Sequence, residues 1–488
     1  AKKKILFSTL LLIASVSNAQ NTFLKGDFWK KNPDLTTIKE TIAKGNSPSE
    51  ANGGNFDAVT MAINNDATLE SILFLIQQDG NSVKKLTHDG RTYLHWAASK
   101  GNVDLVNFLL EKGADINLSD DKGAIPIAFA AANGQANAKI YELFFKAGNN
   151  PKQKFKNGAN ILLLSIPNDK ELKLADYLAT KGLSLKDTDD LGNTAFNYAA
   201  RSGDVKLLQT ILEKGIKFDG RALIIASQGT RSSSVTLEAY KYLVEDLKIN
   251  PNSLGDEGEN VLHNLVRKQK QEDIIAYFLA KGVDVNHQDK AGNSVLMNAT
   301  RGNLELVKTF ISKVKDVNAI NSKGLSALSF AVENGSSDMV GFLLANGAKT
   351  NVIDAKGNNL AYYLIQSVRK DGKDGFDEKL SLLKNSGFDI TIPQKDGNTL
   401  YHLAVAKNEL NLFKKISALD MDINVKNQEG MTALHKAALT AKDDSILKYL
   451  VASGAKKDIL TEFDETAYDL AKENESLTKA NISVDFLK

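Results

Sequence analysis

A unit of about thirty-three residues recurs along this chain of 488 residues. Its clearest copy runs from His88 to Asp120 and reads HDGRTYLHWAASKGNVDLVNFLLEKGADINLSD. This unit predicts a glycine-containing turn, a short helix, a second helix and a return to the next turn. One such unit cannot bury its apolar face alone, whereas a stack of units buries a continuous core. The repeat therefore predicts a solenoid with a long exposed surface, and such a surface is usually used for binding.

The turn of the repeat recurs in register along most of the chain. Its glycine supplies a backbone conformation that other residues resist. The turn glycines are Gly90, Gly123, Gly158, Gly192, Gly258, Gly292, Gly324, Gly357, Gly397 and Gly430. One spacing, of 66 residues, covers two units, the second of which has lost its glycine near Gly220. This register predicts about twelve units between residues 55 and 462.

Each unit predicts two helices with recognisable ends. Small pairs such as Ala97-Ala98 allow adjacent first helices to pack closely, and the second helices carry apolar residues at helical spacing. A glycine such as Gly113 stops the second helix. The residues expected to cap the free amide groups of the first helices are Thr92, Thr194, Ser294, Ser326, Thr399 and Thr432.

The repeat also carries a recognisable sequence signature. Residues 92–95 (TYLH) and 432–435 (TALH) match the tetrapeptide Thr-Pro-Leu-His except for its proline, and residues 260–263 (NVLH) and 399–402 (TLYH) are looser copies. With closing segments such as residues 113–117 (GADIN), the chain resembles the ankyrin repeat family. The resemblance covers nearly the whole chain beyond its N-terminal segment. It implies an all-α solenoid of about twelve helix-turn-helix units with terminal caps.

The predicted organisation has four parts. Residues 1–19 form a signal peptide, residues 20–54 an N-terminal cap or degenerate repeat, residues 55–462 the repeats, and residues 463–488 C-terminal capping helices. Two units are irregular, because residues 227–234 and 370–375 lengthen the link between their helices. Both links are expected on the edge opposite the turns, and whether they contact a partner stays open. A tolerated surface insertion is the simpler interpretation.

The N-terminal segment is typical of an export signal. Lys2, Lys3 and Lys4 precede a short apolar run, and Ser17-Asn18-Ala19 provides small residues for cleavage before Gln20. The chain contains no cysteine, which excludes disulfides, thiolate metal sites and lipid attachment through cysteine, and suits an oxidising compartment. We therefore expect export to the periplasm of a Gram-negative bacterium, with the extracellular medium as the alternative.

Charge and hydropathy exclude two classes of partner. The chain has 61 basic and 59 acidic residues, and removal of the three signal lysines leaves 58 − 59 = −1. This balance provides no electrostatic footprint for nucleic acid. No later apolar stretch reaches bilayer length, so we expect no membrane insertion after signal cleavage. A monomer that binds a protein partner is expected.

The sequence offers little for catalysis. Four of its six histidines occupy the signature position, where the resemblance implies a hydrogen bond between neighbouring turns: His95, His263, His402 and His435. His88 and His287 lie in turns and have no partner at metal-ligand spacing. The acidic residues Asp371, Asp374, Asp377 and Glu378 fail the calcium-loop pattern. We expect no enzyme, no cofactor and no metal site.

The resemblance places the binding surface on the concave face, at the turn tips and along the first helices. Its mixed charges suit a protein partner better than a polyanion. For Trp96 two interpretations stay open, an exposed aromatic anchor or packing against the next helix. The residues expected to contact the partner are His88, Asp89, Arg91, Trp96, Ser99, Lys100, Asp190, Leu191, Asn193, Arg201, Asp256, Glu257, Glu259, Arg267, Lys268, Lys323, Leu325, Glu333, Lys395, Asp396 and Lys407.

These observations favour a non-catalytic scaffold that is exported to the periplasm and binds a protein through its concave face. One alternative is a secreted effector or a toxin–immunity component. Another is a protective partner of a periplasmic stress enzyme such as catalase, because the family includes exported bacterial members linked to peroxide defence.

Overall fold

A computed structural model describes residues 20–488 of the chain. The predicted signal peptide, residues 1–19, lies outside these residues. Throughout the described part the regular structure is helical, without strands, and one isolated bridge joins Ile320 to Ser326. The predicted all-α class is therefore confirmed. The chain divides into two compact units: the first extends to Phe218 and includes Gly229–Ser234, and the second comprises Asp219–Gln228 and Val235–Lys488.

The first unit contains six helix pairs in its described residues. Its helices are α1 (Gly26–Lys30), α2 (Leu35–Ala43), α3 (Ala58–Asn64), α4 (Leu69–Ile76), α5 (Tyr93–Lys100), α6 (Val103–Glu111), α7 (Pro126–Ala132), α8 (Ala138–Ala147), α9 (Ile161–Ser165), α10 (Lys173–Ala179), α11 (Ala195–Ala199) and α12 (Val205–Glu213). Short 3₁₀ turns lie at Thr22–Leu24, His88–Gly90, Lys156–Gly158, Ile166–Asn168 and Ala200–Ser202.

The second unit continues the same alternation with eight further pairs. Its helices are α13 (Arg221–Gln228), α14 (Leu237–Lys241), α15 (Val261–Leu265), α16 (Glu272–Ala280), α17 (Val295–Ala299), α18 (Leu304–Phe310), α19 (Ala327–Asn334), α20 (Ser337–Ala345), α21 (Leu360–Gln366), α22 (Phe376–Asn385), α23 (Leu400–Lys407), α24 (Leu410–Ser417), α25 (Ala433–Thr440), α26 (Ser445–Ala452), α27 (Ala467–Glu473) and α28 (Glu475–Lys479). A π-helical turn, Tyr242–Asp246, extends α14, and 3₁₀ turns lie at Ile311–Lys313 and Asp485–Leu487.

The odd-numbered helices form the inner row of each unit. Each inner helix packs against the next inner helix along its unit, as in α3–α5–α7–α9–α11 and in α13–α15–α17–α19–α21–α23–α25–α27. The predicted alanine pair is central to this packing, since Ala97 and Ala98 have no exposed surface. The even-numbered outer helices bury one apolar face, as Leu105, Val106 and Leu109 do on α6. Because each pair leaves apolar surface for its neighbour, the core runs continuously along each unit.

The predicted caps lie at the starts of the inner helices. In four of them the hydroxyl accepts the amide N–H three residues ahead, over 3.2–3.4 Å, at Thr194, Ser294, Ser326 and Thr432. Thr92 and Thr399 differ, because their hydroxyls lie 3.1 and 3.0 Å from the Nδ1 atom of the signature histidine. Side chains therefore satisfy the free ends of these helices, as capping predicts.

A turn, here called a finger and named by its glycine, precedes each regular inner helix. Most pairs of neighbouring fingers are joined by one backbone hydrogen bond. In the second unit, for example, the N–H of Ala355 donates to Lys323 O over 2.9 Å. Gly324 lies at this junction with φ +75°, and a Cβ there would be 2.9 Å from the Ala355 nitrogen. The turn glycine is therefore required both by its own conformation and by the next finger.

The two irregular pairs have the long links that the sequence indicates. α13 extends through Gln228, so Ser227 and Gln228 are helical and the link comprises residues 229–236. The second link comprises residues 367–375, between α21 and α22. Both links follow the C-terminal end of an inner helix, at the end away from the finger, as the repeat predicts.

Candidate functional site

The residues predicted to contact a partner differ widely in exposure. Eight are exposed: Lys100, Asp190, Leu191, Glu257, Arg267, Lys323, Lys395 and Asp396. Ten are partly buried: His88, Asp89, Ser99, Arg201, Asp256, Glu259, Lys268, Leu325, Glu333 and Lys407. The remaining three, Arg91, Trp96 and Asn193, are buried. The fingers and inner helices therefore provide a largely accessible polar surface. Arg91, Trp96 and Asn193 do not belong to this surface.

Trp96 is not an exposed anchor, because its side chain is 2% exposed. Its indole N–H donates to Thr87 Oγ1 over 2.9 Å, and its ring packs edge-on against Phe129 of the next inner helix at 5.5 Å. The guanidinium groups of Arg91 and Arg231 lie 5.2 and 5.8 Å from the ring centroid. Of the two interpretations of Trp96, packing against the next helix is correct, and the expectation of an exposed anchor is wrong.

Arg91 and Asn193 are buried because they connect parts of the fold. Arg91 Nε donates to Asp120 of the following finger over 3.0 Å, and its guanidinium stacks on Phe129 at 4.3 Å. Asn193 donates to Asp189 over 3.2 Å and accepts from Asn197 over 3.0 Å. These contacts occupy the polar groups that the sequence suggested were available to a partner.

The four signature histidines bridge neighbouring repeats. In each, Nδ1 accepts the N–H of the capping residue over 3.0–3.1 Å, so the ring proton is on Nε2, which donates to a carbonyl of the next repeat over 2.8–2.9 Å. The carbonyls belong to Ala124, Asn293, Met431 and Ile459. The predicted hydrogen bonds between neighbouring repeats are therefore present.

Burial favours the neutral form of these four rings. Loss of hydration is the largest effect and lowers the pKa of His95, His263, His402 and His435, although the bond to the next carbonyl opposes it. A protonated ring could not accept the N–H at Nδ1. The geometry and the lowered pKa values therefore agree on a structural role for these rings.

The remaining two histidines connect adjacent fingers. His88 Nδ1 lies 2.7 Å from Gly54 O, and the ring stacks on Phe56 at 4.4 Å. His287 Nε2 lies 2.7 Å from Gly258 O. Across residues 20–488, no three His, Asp or Glu side chains are placed to hold a metal ion.

The acidic link before α22 is held together by its own carboxylates. Asp374 accepts the N–H groups of Arg369 and Phe376 over 2.8 and 3.0 Å, and Asp371 pairs with the Arg369 guanidinium at 2.8 Å. These carboxylates stabilise the link and the start of α22.

An exposed apolar row on the fingers of the second unit was not identified from the sequence. Its residues are Leu254, Ile320, Ile353, Ile392 and Leu460, with 44%, 55%, 63%, 55% and 42% of their surface exposed. Most lie four residues before the turn glycine, or before Asp464, which takes its place with φ +58°. That register is visible in the sequence and could have identified the row. Ile320, Ile353 and Ile392 lie on three consecutive fingers. Because apolar side chains exposed together often indicate an interaction site, the row belongs to the candidate surface.

One cavity of the second unit brings together two predicted residues and one that sequence reasoning missed. It has a volume of about 770 Å³ and lies over α17. Arg267 and Lys268, which the sequence predicts as partner contacts, line this cavity together with Arg301. Arg301 follows its turn glycine by nine residues, as Arg267 does, so register could have indicated it.

No described helix is both long enough and apolar enough to cross a membrane.

Consecutive helix pairs, a ladder of fingers and an exposed mixed surface define a helical-repeat protein of the binding class. Comparison with protein-family models matches ankyrin repeats at residues 30–120, 127–222, 262–354 and 364–461. Since these segments cover most of the chain, the protein belongs to the ankyrin repeat family, as its sequence signature predicts. Members of this family are generally non-catalytic and bind other proteins.

Several ankyrin-containing proteins are similar to this chain. An ankyrin repeat protein of Rickettsia felis is 25% identical over 57% of this chain and 71% of its own length. Ankyrin repeat protein L371 of Acanthamoeba polyphaga mimivirus is 24% identical over 60% of this chain and 42% of its own. The E3 ubiquitin-protein ligase KEG of Arabidopsis thaliana is 23% identical over 66% of this chain, which spans only 21% of the ligase.

Proposed function

We propose that this protein is a non-catalytic scaffold that is exported to the periplasm and holds a protein partner against the concave face of its repeats. The observation that carries the binding role is the hydrogen-bonded row of fingers, which displays exposed lysine, carboxylate and isoleucine side chains at matching positions. A surface that combines apolar groups with both charge signs suits a protein partner.

Export is supported by the sequence alone. The lysine-rich start, the short apolar run and the small residues before Gln20 are typical of a cleaved signal peptide, and the absence of cysteine fits an oxidising compartment. Fractionation of cells that produce the C-terminally tagged protein tests this part. We expect a periplasmic product that begins at Gln20 by N-terminal sequencing. A product in the medium would instead favour the secreted effector or toxin–immunity alternative.

Mild crosslinking in the periplasm, followed by capture and mass spectrometry, tests the binding role. We expect the wild-type protein to recover the same partner reproducibly, and an Ile320→Ser/Ile353→Ser variant to recover less. A Lys308→Gln variant on the outer helix α18 is the matched control, because Lys308 is exposed away from the fingers. Repeated recovery of no protein would contradict the proposal. A periplasmic catalase as the partner would identify the protective role.

A further inference from the structure

The cavity over α17 has an unusual composition for a surface of mixed charge. Its lining includes four cationic side chains, Arg267, Lys268, Lys270 and Arg301, and one acidic side chain, Glu272, which leaves a formal balance of 4 − 1 = +3. Glu272 is the first residue of an outer helix, where a carboxylate is stabilised by the helix dipole. The cavity is thus a local cationic site on a chain whose total charge is nearly balanced.

Two of these cations are held in place by neutral groups. Arg267 donates to the amide oxygen of Asn298 over 3.1 Å, and Arg301 donates to that of Asn334 over 3.4 Å. Asn298 is itself fixed, because its amide group donates to His263 O over 3.0 Å. Within residues 20–488, neither Arg267 nor Arg301 forms an ion pair with a carboxylate within 4.0 Å, unlike Arg221 and Arg369. Both guanidinium groups are therefore oriented by the protein and keep their remaining donors for another acceptor.

Glu333 is an acidic residue close to this site, and its carboxylate could compete for Arg301. Burial raises its pKa, while the charges of Arg301 and Lys407 act in the opposite direction. Glu333 is partly buried and makes no ion pair with Arg301 within 4.0 Å, whereas Arg301 is exposed. Glu333 therefore reduces the positive potential near Arg301 but does not form an ion pair with its guanidinium group.

Arg267 and Arg301 occupy the same position in consecutive repeats, nine residues after Gly258 and Gly292. Packed helices lie about 8–10 Å apart, so side chains at equivalent positions of neighbouring inner helices are separated by roughly that distance. In an extended strand, carboxylates two residues apart lie on one face about 6.6 Å apart, and flexible Glu or Arg side chains can span the remaining distance. In a polyproline II segment, carboxylates three residues apart lie on one face about 9.3 Å apart. The planar fork of each guanidinium is suited to bind a carboxylate through two hydrogen bonds.

We propose that this cavity binds an extended acidic segment of a protein partner, with two Asp or Glu carboxylates, two or three residues apart, on Arg267 and Arg301. The proposal rests on the proposed scaffold function and identifies the chemistry of its partner. Amide side chains such as Asn293 and Gln269 line the rest of the cavity. In the neighbouring pocket that shares Arg301, the cationic side chains alternate with carboxylates, since Glu333 and Asp374 line it beside Arg369, Lys373 and Lys379. A short peptide segment fits this distribution better than a nucleic acid, which requires a longer basic track.

A displayed library of random 12-residue peptides, selected on the protein that starts at Gln20, tests the proposal. We expect the selected peptides to carry a pair of acidic residues two or three positions apart. Binding of the best fluorescein-labelled peptide, measured by polarisation, should weaken at least tenfold in an Arg267→Gln/Arg301→Gln variant. A tenfold change corresponds to about 1.4 kcal/mol. Higher salt should weaken binding in the wild type because the contacts are ionic.

The matched control is Lys308→Gln/Lys313→Gln, which removes the same amount of charge from exposed residues on and after α18. It should bind the peptide as the wild type does, and circular dichroism should show both double variants folded. Selected peptides without acidic pairs, or equal binding by the Arg267→Gln/Arg301→Gln variant, would overturn the acidic-segment proposal but leave the scaffold function intact.

Two further outcomes separate the proposals. Failure to select any peptide, together with failure to capture a protein from the periplasm, would contradict the scaffold function as well. An oligonucleotide of twenty thymidines provides the remaining arm of the test. The proposal would be overturned if the wild type bound this oligonucleotide, the arginine variant did not, and no acidic peptide was selected. That result would show that the cavity binds a nucleic acid.

Discussion

Acidification is expected to loosen the stack through its four bridging histidines. Each ring is buried, accepts a backbone N–H at Nδ1 and has a pKa lowered by burial. The unfolded chain therefore binds more protons than the folded chain as the pH falls below about 6.5, the ordinary pKa of histidine. It follows that the free energy of unfolding decreases on acidification, and that the histidine contribution to stability is fully present above that pH.

The size of the effect follows from the same linkage. Between pH 7.5 and 5.5, a ring with an unfolded pKa of about 6.5 that takes up no proton in the folded state loses about 1.4 kcal/mol, which is the most that one ring can contribute. Four such rings set an upper limit of about 5 kcal/mol. The carboxyl groups of the buried Asp169 and of the partly buried Glu259 and Glu333 act in the opposite direction, because loss of hydration raises their pKa values and they gain protons more readily when folded.

Urea unfolding followed by circular dichroism at the two pH values measures this dependence. The midpoint should fall from pH 7.5 to 5.5, and a His402→Gln variant should lose up to about 1.4 kcal/mol less over the same interval. Any destabilisation that the substitution causes at pH 7.5 does not affect this comparison, because the change in the free energy of unfolding between the two pH values is measured separately for each protein. A wild-type midpoint that is unchanged or higher at pH 5.5, or bridging rings that titrate at or above pH 6.5 by NMR, would refute the reasoning.

Four substitutions test the packing and the surface. Gly324→Ala should destabilise by about 1 kcal/mol more than Gly347→Ala, since both glycines have positive φ but only the first has the next finger within 3.0 Å; equal thermal midpoints would contradict this. Trp96→Ala should cost about 3–5 kcal/mol in urea unfolding, and a loss below 1 kcal/mol would place the ring on the surface. Ile353→Ser should change stability by less than about 0.5 kcal/mol yet reduce partner capture, whereas undiminished capture would remove the apolar row from the binding surface.

The helix pairs and their connections were predictable because their signals are local. The turn glycines, the capping residues and the alanine pairs each act within a few residues of their own position. The structure retains these features, including the long links of the two irregular pairs. His95 illustrates the limit of this reasoning: its family resemblance implied a bond to the neighbouring turn, and the structure identifies Ala124 O as the acceptor.

Exposure was less predictable, as Lys379 on α22 shows. Its side chain is 1% exposed, and its ammonium group donates to Val332 O near the end of α19 over 3.0 Å. Nothing in the local sequence marks this lysine, since lysines are nearly always at the surface unless they are paired. The acceptor lies 47 residues away, which no local pattern specifies.

The sequence by itself determined the path of the chain: a stack of helix pairs with a finger before each regular inner helix. Only the tertiary structure decided which side chains of each repeat face solvent. Trp96 is covered by Phe129 of the next repeat, whereas Ile353 remains exposed and Arg301 lines a cavity. The physical reason is that helix formation and capping depend on near neighbours, while burial depends on atoms contributed by the repeats before and after.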